Sequence, residues 1–350
     1  MNHEISDIQP HLPKLTSQPG LGGQLKQQPE DFLVEELRPN PLSGEGEHWI
    51  VRIIKRDLTT DQVAAWLAKR FAVPQKDVGF AGQKDRQAVT IQDFSVYLPG
   101  QAPPQGWADD PLPGITIHSV GRDRRKIKPG MLSGNRFVIR LRGCDGALSA
   151  SQRQQLADAT QARLLRYGAP NYFGPQRFGR DGDNWQAGLK LLRAGRKRRK
   201  GNRNTEALQI SAVRSELFNR VVTARLQQGL FNTLLLGDVV QLAGRTAAFR
   251  VEDLAAEQPR FDAVQIHPTG PLFGRDMLAP TGQAAEIEAA IAQAEPEAIE
   301  LLEQFDMQGV RKSLRLIPGE LSHHWEQADL IVTFTLPRGC FATSIMREYM

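Results

Sequence analysis

Two cysteines in 350 residues, Cys144 and Cys340, are too few for a disulfide scaffold, since they could form one bridge at most. No apolar run reaches about eighteen residues, so the sequence offers no membrane-spanning helix. The N-terminal stretch MNHEISDIQPHLPKL carries acids and prolines where a signal peptide needs an apolar core, and the expected compartment is cytoplasmic. Neither cysteine belongs to a CxxC, the seven histidines form no HExxH, and the adjacent His323 and His324 would diverge on an extended chain. No metal centre is therefore expected. GFAGQKD is not a phosphate loop, because Gly79 and Gly82 are too close and Lys84 is followed by Asp85. PQRFGRDGDN lacks the preceding strand of a dinucleotide fingerprint, and Asp181 with Asp183 lack the other oxygens of a calcium loop. No Ser/His/Asp ordering and no internal repeat stand out.

What is present is an ordinary globular composition, 40% apolar and 24% charged, on a chain long enough for two domains. The net charge of +5 says little, but its distribution is uneven. Residues 122–142 carry eight bases and one acid; residues 193–203 carry seven bases and no acid. Residues 283–306 hold seven acids and no base. Basic stretches of this density suit a polyphosphate backbone, and without one they repel themselves.

Periodicity predicts a half-exposed strand in PEDFLVEEL, where Phe32 and Val34 alternate with charged neighbours, and strands at 48–56, 90–98, 136–142 and 329–337. In RFVIRLR, Phe137, Ile139 and Leu141 face one way and Arg136, Arg140 and Arg142 the other. Thr59 or Thr60 should cap a helix through DQVAAWLAKRF that Pro74 stops. Further helices are predicted at 151–167, at 211–229 and twice in the acidic stretch, the second of these opening on Pro296. Short strands are expected near 239–242 and 247–251, and a loop at 101–114. Strand-rich ends flank a helix-rich middle, which predicts one domain interrupted by another.

FAGQKDRQAVT (80–90) is the best local candidate for chemistry. Asp85 lies between Lys84 and Arg86 at the mouth of a strand, and flanking cations favour the ionised carboxylate. Such a group suits nucleophilic attack; spacing alone equally allows a surface ion pair.

This segment resembles the catalytic segment of the TruD family of tRNA pseudouridine synthases. LKQQPEDFLVEE, GEGEH, RKIKPGMLSGNRF, GAPNYFGPQRFGRDGDN, LFNRVVTAR, HPTGPLFG, RKSLRLIP and LPRGCFATSIMRE are similar to that family's other signatures, in family order. The likeness covers roughly residues 20–348, with mild departures at Cys340 and Phe341. It implies an α/β (α+β) fold: a catalytic domain with a mixed, largely antiparallel sheet (1–154 and 304–350), interrupted by an inserted domain (155–303). It implies isomerisation of uridine 13 of tRNA to pseudouridine, with no cofactor, by a cytoplasmic enzyme needing no obligate protein partner and expected to be a monomer. Asp85 would be the nucleophile, attacking C1′ or C6. Phe137 would stack on the target base, Asn135 would position the base or Asp85, and Lys26 would be the counter-charge. tRNA would be held by shape and charge through Arg124, Arg125, Lys126 and Lys128, and through Arg177, Arg180, Arg196, Lys197, Arg198, Arg199 and Lys200 of the insertion. A tRNA-binding protein without activity would need the same basic residues; a methyltransferase would need a cofactor loop, and a metal nuclease clustered carboxylates.

Overall fold

The computed structural model of the chain describes residues 12–16, 20–144, 146, 148–179, 181–195 and 203–350. Its strands are β1 Phe32–Leu37, β2 His48–Arg56, β3 Val78–Phe80, β4 Val89–Tyr97, β5 Ile115–Asp123, β6 Gly134–Leu141, β7 Ala169–Pro170, β8 Val239–Leu242, β9 Ala248–Arg250, β10 Ile266–Leu272, β11 Val310–Ser313, β12 Arg315–Leu316, β13 Gly319–Glu326 and β14 Asp329–Pro337. The helices are α1 Thr60–Arg70, α2 Ala150–Tyr167, α3 Pro175–Phe178, α4 Asn184–Ala194, α5 Arg203–Gln227, α6 Leu254–Asp262, α7 Gly282–Ala294, α8 Pro296–Gln304 and α9 Ala342–Tyr349. They form two compact units.

The sheet unit comprises Leu21–Asp158 and Pro318–Cys340. Its eight strands run in the order β13-β14-β6-β1-β4-β2-β5, with β3 also on β4. Only β1 and β4 are parallel; the other pairs are antiparallel, so the sheet is mixed and largely antiparallel as expected. β14 lies between β13 and β6, so the chain returns after the insertion to complete the same sheet. Thr59 caps α1, its hydroxyl accepting from the Gln62 N–H while the Gln62 side chain accepts from the Thr59 N–H. Val63, Leu67 and Phe71 then bury against Val51, Ile53, Phe94 and Val96, each side chain contributing about 1.5–3 kcal/mol.

One irregularity positions the site. β1 pairs with β4 at Val89–Ile91, and β3 pairs with the same edge at Phe94–Val96. Gln92 and Asp93 fall at the break between them. Their side chains are buried and paired: Gln92 with Thr60 and Gly82, Asp93 with Arg38 and with Arg52, its register partner on β2.

The helix-rich unit comprises the described residues up to Gly20, with Ala159–Ile317 and Phe341–Met350. α5 begins at Arg203, earlier than periodicity predicts, because Ile210, Val213 and Leu217 pack with Leu189 and Leu192 of α4. Gly188 permits that approach, since a Cβ there would lie 2.2 Å from the Gln209 carbonyl oxygen. The unit also takes in 304–317 and 341–350, which the resemblance assigns to the flanking domain. β11 pairs with β10 and β12 with β7, while Glu348 of α9 accepts from both the N–H and the hydroxyl of Thr16. The other boundary falls within α2, at 158/159.

Candidate active site

The segment between β3 and β4 carries Asp85 across the sheet and is held from below. The Gln92 amide donates to the Gly82 carbonyl at 2.6 Å, and Thr60 Oγ1 accepts from the Lys84 N–H at 3.0 Å. Lys55 Nζ, on a fully buried side chain, donates to the Asp85 carbonyl at 2.9 Å and to the Leu58 carbonyl at 2.7 Å. Burial pushes the Lys55 ammonium down to about 8; the Asp85 charge opposes that shift and Lys84 adds to it. Ala81 accepts from the Gly130 N–H. Gly82 does not adopt a positive φ, so its carbonyl, rather than conformational freedom, is what the turn uses.

The Asp85 carboxylate is 39% exposed and meets Lys26 Nζ at 3.3 Å. The neighbours in sequence are not its partners. Lys84 turns under the loop to Glu36 at 3.0 Å, and Arg86 turns outward to Asp57 at 3.2 Å. The expected flanking by Lys84 and Arg86 thus gives way to a distant lysine. Lys26 itself has φ +55°, left-handed backbone that an ordinary side chain rarely adopts. Its ammonium also lies 4.5 Å from the centroid of Phe32. Burial raises the Glu36 carboxyl above its ordinary range while the Lys84 charge pulls it back.

Asn135 and Phe137 sit on β6 beside this arrangement. Register sets Asn135 opposite Glu36 and Leu336, and Phe137 opposite Val34 and Phe334, so all share one sheet face. Asn135 Oδ1 is buried without a hydrogen-bond partner among the described residues. Phe137 is buried; its ring stacks on Phe334 at 5.3 Å and meets Phe32 edge-on at 6.2 Å. The four candidates thus join through contacts: Asp85 to Lys26, Lys26 to Phe32, Phe32 to Phe137, and Lys84 to Glu36 beside Asn135.

The basic residues divide. The arginine face of β6 is neutralised by neighbouring acids, Arg140 by Asp329 at 3.0 Å and Arg142 by Asp31 at 2.8 Å. Arg124, Arg125 and Lys128 are exposed, with Arg124 paired to Glu45, while Lys126 donates to the Lys76 carbonyl. Arg177 is half-buried, donates to Ser211 Oγ and lies 5.2 Å from the centroid of Phe173. Arg180 and Arg196, Lys197, Arg198, Arg199 and Lys200 lie outside the described residues. Among the described residues, no three His, Cys, Asp or Glu side chains gather as a metal site would require. Sequence reasoning missed Lys55, Gln92 and Thr60. For Lys55 the signal was a cation on a face of β2 otherwise made of Trp49, Val51 and Ile53.

A family model described as tRNA pseudouridine synthase D (TruD) matches residues 13–198 and 199–349. A tRNA pseudouridine synthase D of Hydrogenovibrio crunogenus is 39% identical over 329 residues, covering 93% of this chain and 91% of that protein. One from Vibrio campbellii is 38% identical over 345 residues, covering 98% and 97%. The crystal structure of a Methanosarcina mazei protein, described as a candidate tRNA pseudouridine synthase D, superposes with a TM-score of 0.80 at 23% identity. It covers 96% of this chain and 95% of its own, and shows the same fold.

Proposed function

The chain belongs to the tRNA pseudouridine synthase D family, and from that premise we propose that it isomerises uridine 13 of tRNA to pseudouridine with Asp85 as nucleophile. The observation that carries the reading is the Asp85–Lys26 pair: a partly exposed carboxylate with an ammonium at 3.3 Å, on a loop pinned from beneath. An ionised carboxylate is the form that attacks, and the Lys26 ammonium lies in contact with it. Attack at C1′ or at C6 of the base leads to the same balance. The N1–C1′ bond breaks, the uracil rotates, C5 bonds to C1′, C5 loses its proton and N1 gains one. Mass is unchanged, and neither a redox partner nor a metal is consumed.

A base in a folded tRNA must leave its stack to be reached. Asn135, with a buried acceptor oxygen lacking a partner among the described residues, is suited to the N3–H of a uracil edge. Phe137 has no hydroxyl to take the C5 proton and serves as an aromatic surface, one face of which already stacks on Phe334. Arg124, Arg125, Lys126 and Lys128 supply phosphate contacts, joined by Arg177 and the basic stretch through Lys200. The enzyme acts as a cytoplasmic monomer.

Incubating the purified protein with unmodified tRNA, without added metal or cofactor, should convert one uridine, mapped by carbodiimide and primer extension to position 13. Asp85→Asn should abolish conversion and retain tRNA binding. Conversion by that variant at a substantial rate would overturn the nucleophile; absence of product from every unmodified tRNA would leave a binding protein.

A further inference from the structure

Lys55 lies at the C-terminal end of β2, yet its side chain is completely buried. Taking an ammonium out of water is unfavourable unless specific partners replace the lost hydration. Packing alone would be served better by methionine or leucine at this position, which lies opposite Thr90 on β4 and Ile115 on β5. The two acceptors that the structure gives Lys55 are main-chain carbonyls. One belongs to Leu58, in the turn leading to α1; the other belongs to Asp85 itself.

Three side chains grip the loop: Gln92 at Gly82, Thr60 at Lys84 and Lys55 at Asp85. Of these three, Lys55 is the one that acts on the main chain of the residue whose carboxylate reacts, and the one that brings charge. Resting on the reading of Asp85 as the nucleophile, we infer that Lys55 is a positioning residue, fixing the Asp85 backbone to the turn before α1 so that the carboxylate is held against Lys26. It touches no reacting atom. Its contribution is to the chemical step, because a nucleophile displaced by about 1 Å loses on the order of a hundredfold in rate.

The test is the Lys55→Met variant of the full chain, read by single-turnover pseudouridine formation at saturating enzyme, tRNA affinity measured separately, and the melting temperature. The expected result is a folded protein that binds tRNA within about twofold of wild type and reacts about a hundredfold more slowly. A folded variant reacting within about threefold of wild type would overturn the inference, as would an affinity loss with the bound rate unchanged. Should Lys55→Met fail to fold, Lys55→Gln, one bond shorter and uncharged, decides by the same criterion. Asp85→Asn run alongside separates the two failures. If Asp85→Asn is dead and Lys55→Met is not, the positioning role alone is wrong; if Asp85→Asn turns over, the nucleophile is wrong.

Discussion

Both units bury cations, and they use them differently. In the helix-rich unit Arg311 spends Nε on Thr269 Oγ1, both terminal nitrogens on Glu288, and one of them also on the Thr269 carbonyl. Arg225 pairs with Asp238, and Arg315 bonds His267 Nδ1 together with the Phe261 and Ile266 carbonyls. These guanidinium forks tie helices to strands in fixed geometry, and each group they touch is itself structural. In the sheet unit the buried cations nearest the site are lysines, Lys55 and Lys84, and both hold the one loop that carries a half-exposed carboxylate. The helix-rich unit uses buried charge for its own architecture; the sheet unit does so at Arg52 and Asp93 but commits its two buried lysines to the Asp85 loop.

If that contrast is right, Arg311→Met should cause the largest loss of stability, about 3–5 kcal/mol, because Glu288 is left buried without its partner. Urea denaturation measures it, and a loss below about 1 kcal/mol would remove the contrast. Phe137 asks whether the apolar part of the sheet unit is committed to the site as well. Phe137→Ala removes a buried ring that stacks on Phe334, at about 3–5 kcal/mol, and should lower turnover far more than Phe137→Tyr. Equal turnover for the two folded variants would make Phe137 a core residue only.

The smallest effect concerns pH in the helix-rich unit. Burial, with the Arg315 charge adding to it, lowers His267 from 6.5 to about 4. Between those values the unfolded chain takes up a proton that the native protein refuses. Stability should therefore fall as pH drops through this window and level off below about 4, by up to about 3 kcal/mol in total. Replacing His267 by Gln keeps an acceptor for Arg315 and should flatten that part of the curve; an unaltered pH dependence would show that the imidazole titrates freely.

Much of the sheet unit was legible because its strands alternate. Phe137, Ile139 and Leu141 bury on one face of β6 as the pattern implies, and Leu330, Val332, Phe334 and Leu336 do so on β14. β5 was not legible, since His118, Ser119 and Val120 are all exposed and no period of two survives. Asp85 and Lys26 could be named from motifs, but their pairing joins residues 59 positions apart and has no local signature. Lys55 was hidden for a related reason. In HWIVRIIKR a lysine near a strand end reads as solvent-facing, and only the loop arriving from residues 82–85 reveals what it serves. The arginine face of β6 misled in the opposite sense, because the acids that neutralise it come from β1, from Asp31 just before it and from β14.

The Thr16–Glu348 contact bears on how the protein is made. Its two residues are separated by 332 positions, with nearly the whole of both units between them. During synthesis the segment carrying Thr16 emerges early and must wait for Glu348 to leave the ribosome before its two hydrogen bonds to that carboxylate can form. Contacts of such separation close late and slowly. In the helix-rich unit α9 thus acts as a clasp that can close on the segment carrying Thr16 only once the chain between them has been made.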